Sequence, residues 1–254
     1  PWRESVAAIM LMFLGGQETG AAWADVLFGD HAPTGRLPLM IPETEADTIK
    51  PGQNMTVVYA EGMATSYRNK AFRAAYPFGH GLTYSHFKYG PLRSRACHDY
   101  LLCVHVEVSN VGKVAARTVA QLYLELPPEA EHPAPLLKGF LRTRQLAPGE
   151  SEELAFGLTA RDISYYSQGN WLKADRCVAH VGESSADIRQ NLRFEVPREI
   201  LSSHSQGLIA TLIALALGCG FCCKARASSS MREPWARGAG LLAPPEMQAQ
   251  NPEI

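Results

Sequence analysis

Hydrophobic and polar positions change period along this chain, and the changes mark its organisation. In LLCVHVEVSN (residues 101–110), Leu102, Val104, Val106 and Val108 alternate with Cys103, His105 and Glu107. That period of two predicts a strand with one buried face. Residues 110–112 carry a turn signal. Further strands are predicted over residues 118–126 (TVAQLYLEL), 151–159 (SEELAFGLT), 176–182 (RCVAHVG) and 192–196 (LRFEV), with LAPGE (146–150) as a turn. Short strands at this spacing, without helical periodicity between them, predict an antiparallel β-sandwich over residues 85–196 that folds on its own.

The first 42 residues read differently. VAAIMLMFL (6–14) is a continuous apolar run, too short to span a membrane, and is expected to be a buried strand. GGQETG then opens a helix that residues 21–28 continue, and Gly29 suits its stop. GRLPLMIP (35–42) predicts a short strand between prolines. Strand, helix and strand suit an α/β layer, but so short a segment cannot bury a core of its own. Residues 1–42 are therefore expected to be the end of a larger domain. Residues 43–84 combine glycines and prolines with Tyr59, Tyr67, Phe72, Tyr76 and Phe78. Flexible linkers are poor in aromatics, so this stretch predicts an ordered strap between two domains.

Residues 207–223, GLIATLIALALGCGFCC, are 17 residues without a charge. As a helix they reach about 25 Å, the lower limit for a span. A buried core helix is the competing reading, but the run follows the sandwich, where no core remains to receive it. Lys224, Arg226, Arg232 and Arg237 come after it, a stop-transfer pattern that puts the C-terminus in the cytosol. The expectation is a transmembrane helix, with the sandwich extracellular or lumenal and residues 224–254 a disordered cytosolic tail. Cys222 and Cys223 at the boundary are candidates for palmitoylation. Asn54-Met55-Thr56 is an acceptor sequence for N-glycosylation on the sandwich side of the run.

Composition narrows the function. The 254 residues are 46% hydrophobic and 19% charged, with a formal net charge of -1, so no basic field recruits nucleic acid. Of six cysteines, none forms a CxxC pair or a zinc-like cluster. They are expected to be free core or surface thiols, with Cys103 and Cys177 facing opposite ways and so not bridged. No metal or cofactor is implied.

Six segments carry a family resemblance: GGQETGAAWADVLFGDHAPTGRLPLMIP, YAEGMATSYR, YPFGHGLTYSHFKYG, VSNVGKVAARTVAQLYLEL, LLKGFLRTRQLAPGESEELAFGL and HVGESSADIR. In this order they resemble the C-terminal half of glycoside hydrolase family 3, which includes β-glucosidases and β-xylosidases, over residues 1–196. The resemblance implies a mostly β chain: the C-terminal remnant of an α/β-sandwich domain, then a fibronectin type III-like (immunoglobulin-like) β-sandwich. It also implies a retaining mechanism with two carboxyl groups about 5–5.5 Å apart. The family carries the nucleophilic Asp in a barrel and the acid/base Glu in the second domain, upstream of where this chain starts. Neither motif occurs here, so no catalytic residue is assigned. Glu18 and Asp25 share one predicted helix but sit two turns, about 10 Å, apart along its axis. Glu61 has no predicted partner.

The expectation is a C-terminal fragment of a retaining β-glycosidase, inactive by itself, whose intact parent cleaves terminal β-glucosyl or β-xylosyl residues of a β-linked oligosaccharide or glycoside. The alternative is a non-catalytic, membrane-anchored sandwich for adhesion or sugar binding. Glu18 at a helix N-terminus suits the helix dipole and could also border a sugar pocket. Tyr67 and Arg68, with Tyr76, Phe78, Tyr84 and Phe87, either pack between domains or form a sugar-facing wall. Ser66 stands where the family usually has Gly, so the local backbone is expected to differ. Gly79 and Gly81 suit a tight turn, and His80 between them is either a turn residue or a ligand.

Overall fold

A computed structural model describes residues 3–48 and 59–197. The predicted span 207–223, the tail 224–254, Asn54, Cys222 and Cys223 lie outside the described residues. Among the described residues no helix is long and apolar enough to cross a membrane.

Strands dominate. In chain order they are β1 (Ile41–Pro42), β2 (Ala74–Tyr76), β3 (Phe87–Tyr89), β4 (Arg93–Arg95), β5 (Leu102–Asn110), β6 (Val119–Glu125), β7 (Leu136–Arg142), β8 (Ser151–Leu158), β9 (Ser164–Ser167), β10 (Asn170–Lys173), β11 (Arg176–Ser184) and β12 (Asp187–Glu195). The helix α1 spans Thr19–Phe28 and ends at Gly29, whose φ of 87° is the left-handed conformation of a glycine stop.

The sandwich has two antiparallel sheets. One runs β12-β11-β6-β7. In the other, β5 pairs with β8 on one edge and with β3 and β4, end to end, on the other edge. The alternation of β5 puts Leu102, Val104, Val106 and Val108 into the core, where they join Leu154, Phe156 and Leu158 of β8. Ala120, Leu122 and Leu124 of β6 and Cys177, Ala179 and Val181 of β11 complete it. Asn110 closes one end: its side-chain amide donates to the carbonyls of Val114 and Leu146 (2.8 Å each), and its Oδ1 accepts from Ser85 Oγ (2.6 Å) and Gly112 N–H (3.0 Å). A fully buried amide can be stable there because its bonding capacity is filled.

Three expectations need correction. Residues 6–14 form no strand, and Val6, Leu11, Phe13 and Leu14 are exposed. An apolar run becomes a strand only beside a sheet that takes its backbone hydrogen bonds, and no described strand lies against it. Of the 35–42 segment only Ile41–Pro42 is strand, paired with β2. Leu37 instead exchanges backbone bonds with Gly79 (2.9 Å) and His80 (2.8 Å).

The third correction concerns the cysteines: Cys97 and Cys103 form a disulfide across a Cα–Cα distance of 5.8 Å. Strand β4 turns back along β5 with Arg95 opposite Cys103, which returns Cys97 to bridging range. Cys177 is a free, buried thiol, its pKa pushed up to about 11, chiefly by burial.

Candidate functional site

Strand β6 is buried on both faces. Its inner face is core, whereas Gln121 and Tyr123 point outward and are still only 3% and 2% exposed. The strap covers them. Gln121 Nε2 donates to the carbonyls of Gly79 (3.0 Å) and Glu183 (2.7 Å), and Gln121 Oε1 accepts from the Tyr123 hydroxyl (2.6 Å). Gly79 has φ of 79°, and a Cβ there would run into the Gln121 amide. Ser185 N–H donates to the Phe78 carbonyl at 3.0 Å. The FGHGL segment is therefore the clamp that seats the strap on the sheet, and His80 within it is a packed turn residue stacked on Tyr76 at 5.5 Å.

Tyr67 enters the same layer. Its ring stacks on Phe78 (4.7 Å) and meets Tyr123 edge-on (5.8 Å), and its hydroxyl accepts the Leu137 N–H at 3.0 Å. Beside it opens a groove of about 200 Å³ lined by Tyr67, Tyr123, Glu125, Pro135, His180 and Ile188. His180 Nε2 lies 2.9 Å from Glu125 Oε2. The groove thus offers an apolar floor and one hydrogen-bonding pair. Glu125 is the one carboxylate among its lining residues.

A second link holds the N-terminal segment. Arg36 Nη2 donates to Thr118 Oγ1 at 3.0 Å and lies 3.7 Å from Glu183 Oε2. Burial pulls the Arg36 pKa down against the opposing pull of Glu183. Burial likewise raises the Glu183 carboxyl, against Arg36 and Arg189. Desolvation outweighs attraction on both partners, so this pair fixes where residue 36 docks more than it adds stability. Asp187 also raises Glu183, yet Arg189 holds Asp187 at 2.7 Å.

The residues singled out from sequence are scattered. Glu18 is the exposed N-cap of α1 and makes no side-chain cap bond. Arg68 is half-buried near His132, whose imidazole is held below its ordinary pKa by burial and then by Lys138 and Arg68. Tyr84 donates to the Val26 carbonyl at 2.5 Å and so tethers α1. Ser66 has φ of 52°, a left-handed backbone that glycine adopts more readily than serine. Asp25 pairs with His31 at 3.2 Å on a groove of about 410 Å³ between α1 and residues 115–117.

Sequence and structure comparisons agree with this architecture. Residues 1–84 match the glycosyl hydrolase family 3 C-terminal domain, and residues 118–185 match a fibronectin type III-like domain. The chain belongs to glycoside hydrolase family 3 and carries that C-terminal domain followed by the fibronectin type III-like one. It is 34% identical over 202 residues to thermostable beta-glucosidase B of Acetivibrio thermocellus, covering 74% of this chain and 27% of that protein. It is 35% identical over 214 residues to a beta-glucosidase of Rhizobium radiobacter, covering 78% and 26%. Among solved structures, beta-glucosidase 3B from Thermotoga neapolitana in complex with glucose superposes with a TM-score of 0.71 at 35% identity, covering 78% of this chain and 29% of that one. The chain thus spans between a quarter and a third of the length of these relatives.

Proposed function

We propose that this chain is the C-terminal, non-catalytic portion of a retaining β-glycosidase whose intact form removes terminal β-glucosyl or β-xylosyl residues. The observation that carries this is the match, at about 35% identity, to beta-glucosidases across three-quarters of the chain. The acidic side chains described here support a non-catalytic role. Glu183 and Asp187, close enough to influence each other, are each held by an arginine. Glu125 is taken by His180 and Asp25 by His31. A retaining site needs two carboxyls about 5–5.5 Å apart on either side of one glycosidic bond. Glu18, Tyr67 and Arg68 border the sugar pocket, in this reading, only once the rest of the enzyme is in place.

The same proposal includes an anchor. The uncharged run at 207–223 and its basic flank support a transmembrane helix with the sandwich outside or in a lumen. The Cys97–Cys103 disulfide supports an oxidising compartment for the sandwich.

The purified chain should not release nitrophenol from a nitrophenyl β-glucoside, whereas the transcript extended in the 5′ direction should encode an active enzyme. Turnover by the chain alone that disappears in Glu18→Gln or Glu61→Gln would overturn the catalytic part. Complete release by alkaline carbonate, with no mobility shift after glycosidase treatment, would overturn the anchor.

A further inference from the structure

A two-stranded hairpin stands apart from both sheets of the sandwich. It consists of β9 and β10 joined by Gln168 and Gly169, both at positive φ (49° and 83°). Two such residues in succession form the tight turn that matches strand twist. Its root is fixed: Ile163, Tyr165 and Ala174 are buried in the core, and Ala174 N–H donates to the Ile163 carbonyl at 2.9 Å. Alternation then sends Tyr166 the opposite way from Tyr165. Tyr166 pairs across the strands with Trp171, and their rings meet edge to face at 5.7 Å. Both stay well exposed, at 60% and 59%. Arg161 lies over the Trp171 ring at 4.8 Å.

Several aromatics of this chain are exposed, Phe28, Tyr59 and Phe140 among them; Tyr166 and Trp171 differ in forming a contacting pair on one hairpin. Together they expose on the order of 300 Å². A stable protein partner needs about 800 Å² per side, so the patch is too small for one and matches one or two sugar rings. Arg161 covers one face of the Trp171 indole and the two rings cross at 67°, so the axial C–H groups of a pyranose would meet the Tyr166 ring and the uncovered part of Trp171. The Arg161 guanidinium adds up to five N–H donors for ring hydroxyls.

The geometry points to Trp171, Tyr166 and Arg161 as an accessory carbohydrate-binding platform for a β-linked glucan chain, separate from the Tyr67 groove. The choice of ligand rests on the reading of the parent as a β-glycosidase; the platform itself does not. It would hold a polymeric substrate near the enzyme without taking part in cleavage.

The test uses the full chain in mild detergent, run in native gels cast with hydroxyethyl cellulose or laminarin. The wild type should be retarded by at least one of them. Trp171→Ala and Tyr166→Ala should each weaken retardation about tenfold or more, and Trp171→Phe should keep most of it. Thermal unfolding by circular dichroism confirms that each variant folds; should Trp171→Ala not fold, Tyr166→Ala and Arg161→Ala carry the test. Wild-type migration unchanged by either polysaccharide, or retardation unaffected by the substitutions, would overturn the platform. Self-association that depends on Trp171, seen by sedimentation without retardation, would assign the patch to a second copy and also overturn it. Because binding is measured here and hydrolysis in the extended enzyme, failure of one reading is distinguishable from failure of the other.

Discussion

The seating of the strap on the sandwich can be broken with one methyl group. Gly79→Ala acts in two ways. At φ of 79° an L-residue costs about 1–2 kcal/mol over glycine. The new Cβ would also collide with the Gln121 amide. Moving that side chain disturbs its bonds to Gly79, Glu183 and Tyr123. Leaving one such buried group unpaired costs about 1–3 kcal/mol. The lower entropy of the unfolded alanine chain returns about 0.5 kcal/mol. The net is about 3 kcal/mol, or about 10 °C in Tm for a domain near 200 residues. Gly149→Ala is the control, because Gly149 has φ of 84° and open space around its Cα. Only the backbone cost and the same unfolded-chain return act there, for a loss of about 3 °C. Differential scanning calorimetry of the two variants decides the matter. Equal losses would refute the claim that Gln121 and Gly79 clamp the strap.

Three further outcomes are expected. Ser66→Gly should raise Tm by about 1–2 °C, since it relieves a left-handed serine at an exposed position; a lower Tm would mean the hydroxyl supports the turn. Burial holds the imidazoles of His80 and His132 below their ordinary pKa. The unfolded chain therefore binds more protons below about pH 6.5, stability falls as pH drops through that point, and the double variant His80→Asn/His132→Asn should flatten the Tm–pH curve there. Cys97→Ser should lower stability by about 2 kcal/mol, as expected for closing so short a loop, and reductant should lower the wild-type Tm while leaving this variant unchanged.

How far the sequence could be read depended on how local each signal was. The alternation of β5 needs no partner to be recognised, and its burial follows it at every position but Cys103, which is buried on the other face. The stop at Gly29 is local in the same sense. Residues 6–14 failed because an apolar run states a need for burial without saying what meets it. The disulfide was missed because it depends on the short exposed strand Arg93–Arg95, which has no hydrophobic pattern at all. Strand β7 carries Gly139 and an irregular mix of Leu, Lys and Phe, which hides its period. The β9–β10 hairpin did have a readable signal, since Gln168-Gly169 between aromatic residues suits a tight turn. At the candidate site, the aromatic richness of the strap made its order legible, while packing and sugar-facing roles for Tyr67 and Phe78 both stayed open. The role of Gln121 was not, because a buried polar side chain on an otherwise apolar strand is defined only by the carbonyls it meets.

Because both faces of β6 are covered, the boundary expected at residue 85, with a sandwich that folds on its own from there, is a poor place to cut. A truncation beginning there would strip the cover from Gln121 and Tyr123 and leave Thr118 and Glu183 without Arg36. The heritable unit is larger than the strands suggest, since anything that moves the sandwich between proteins must bring residues from about 35 onward with it. Chimaeras of related enzymes joined ahead of residue 35 should express as soluble protein, and those joined at residue 85 should aggregate.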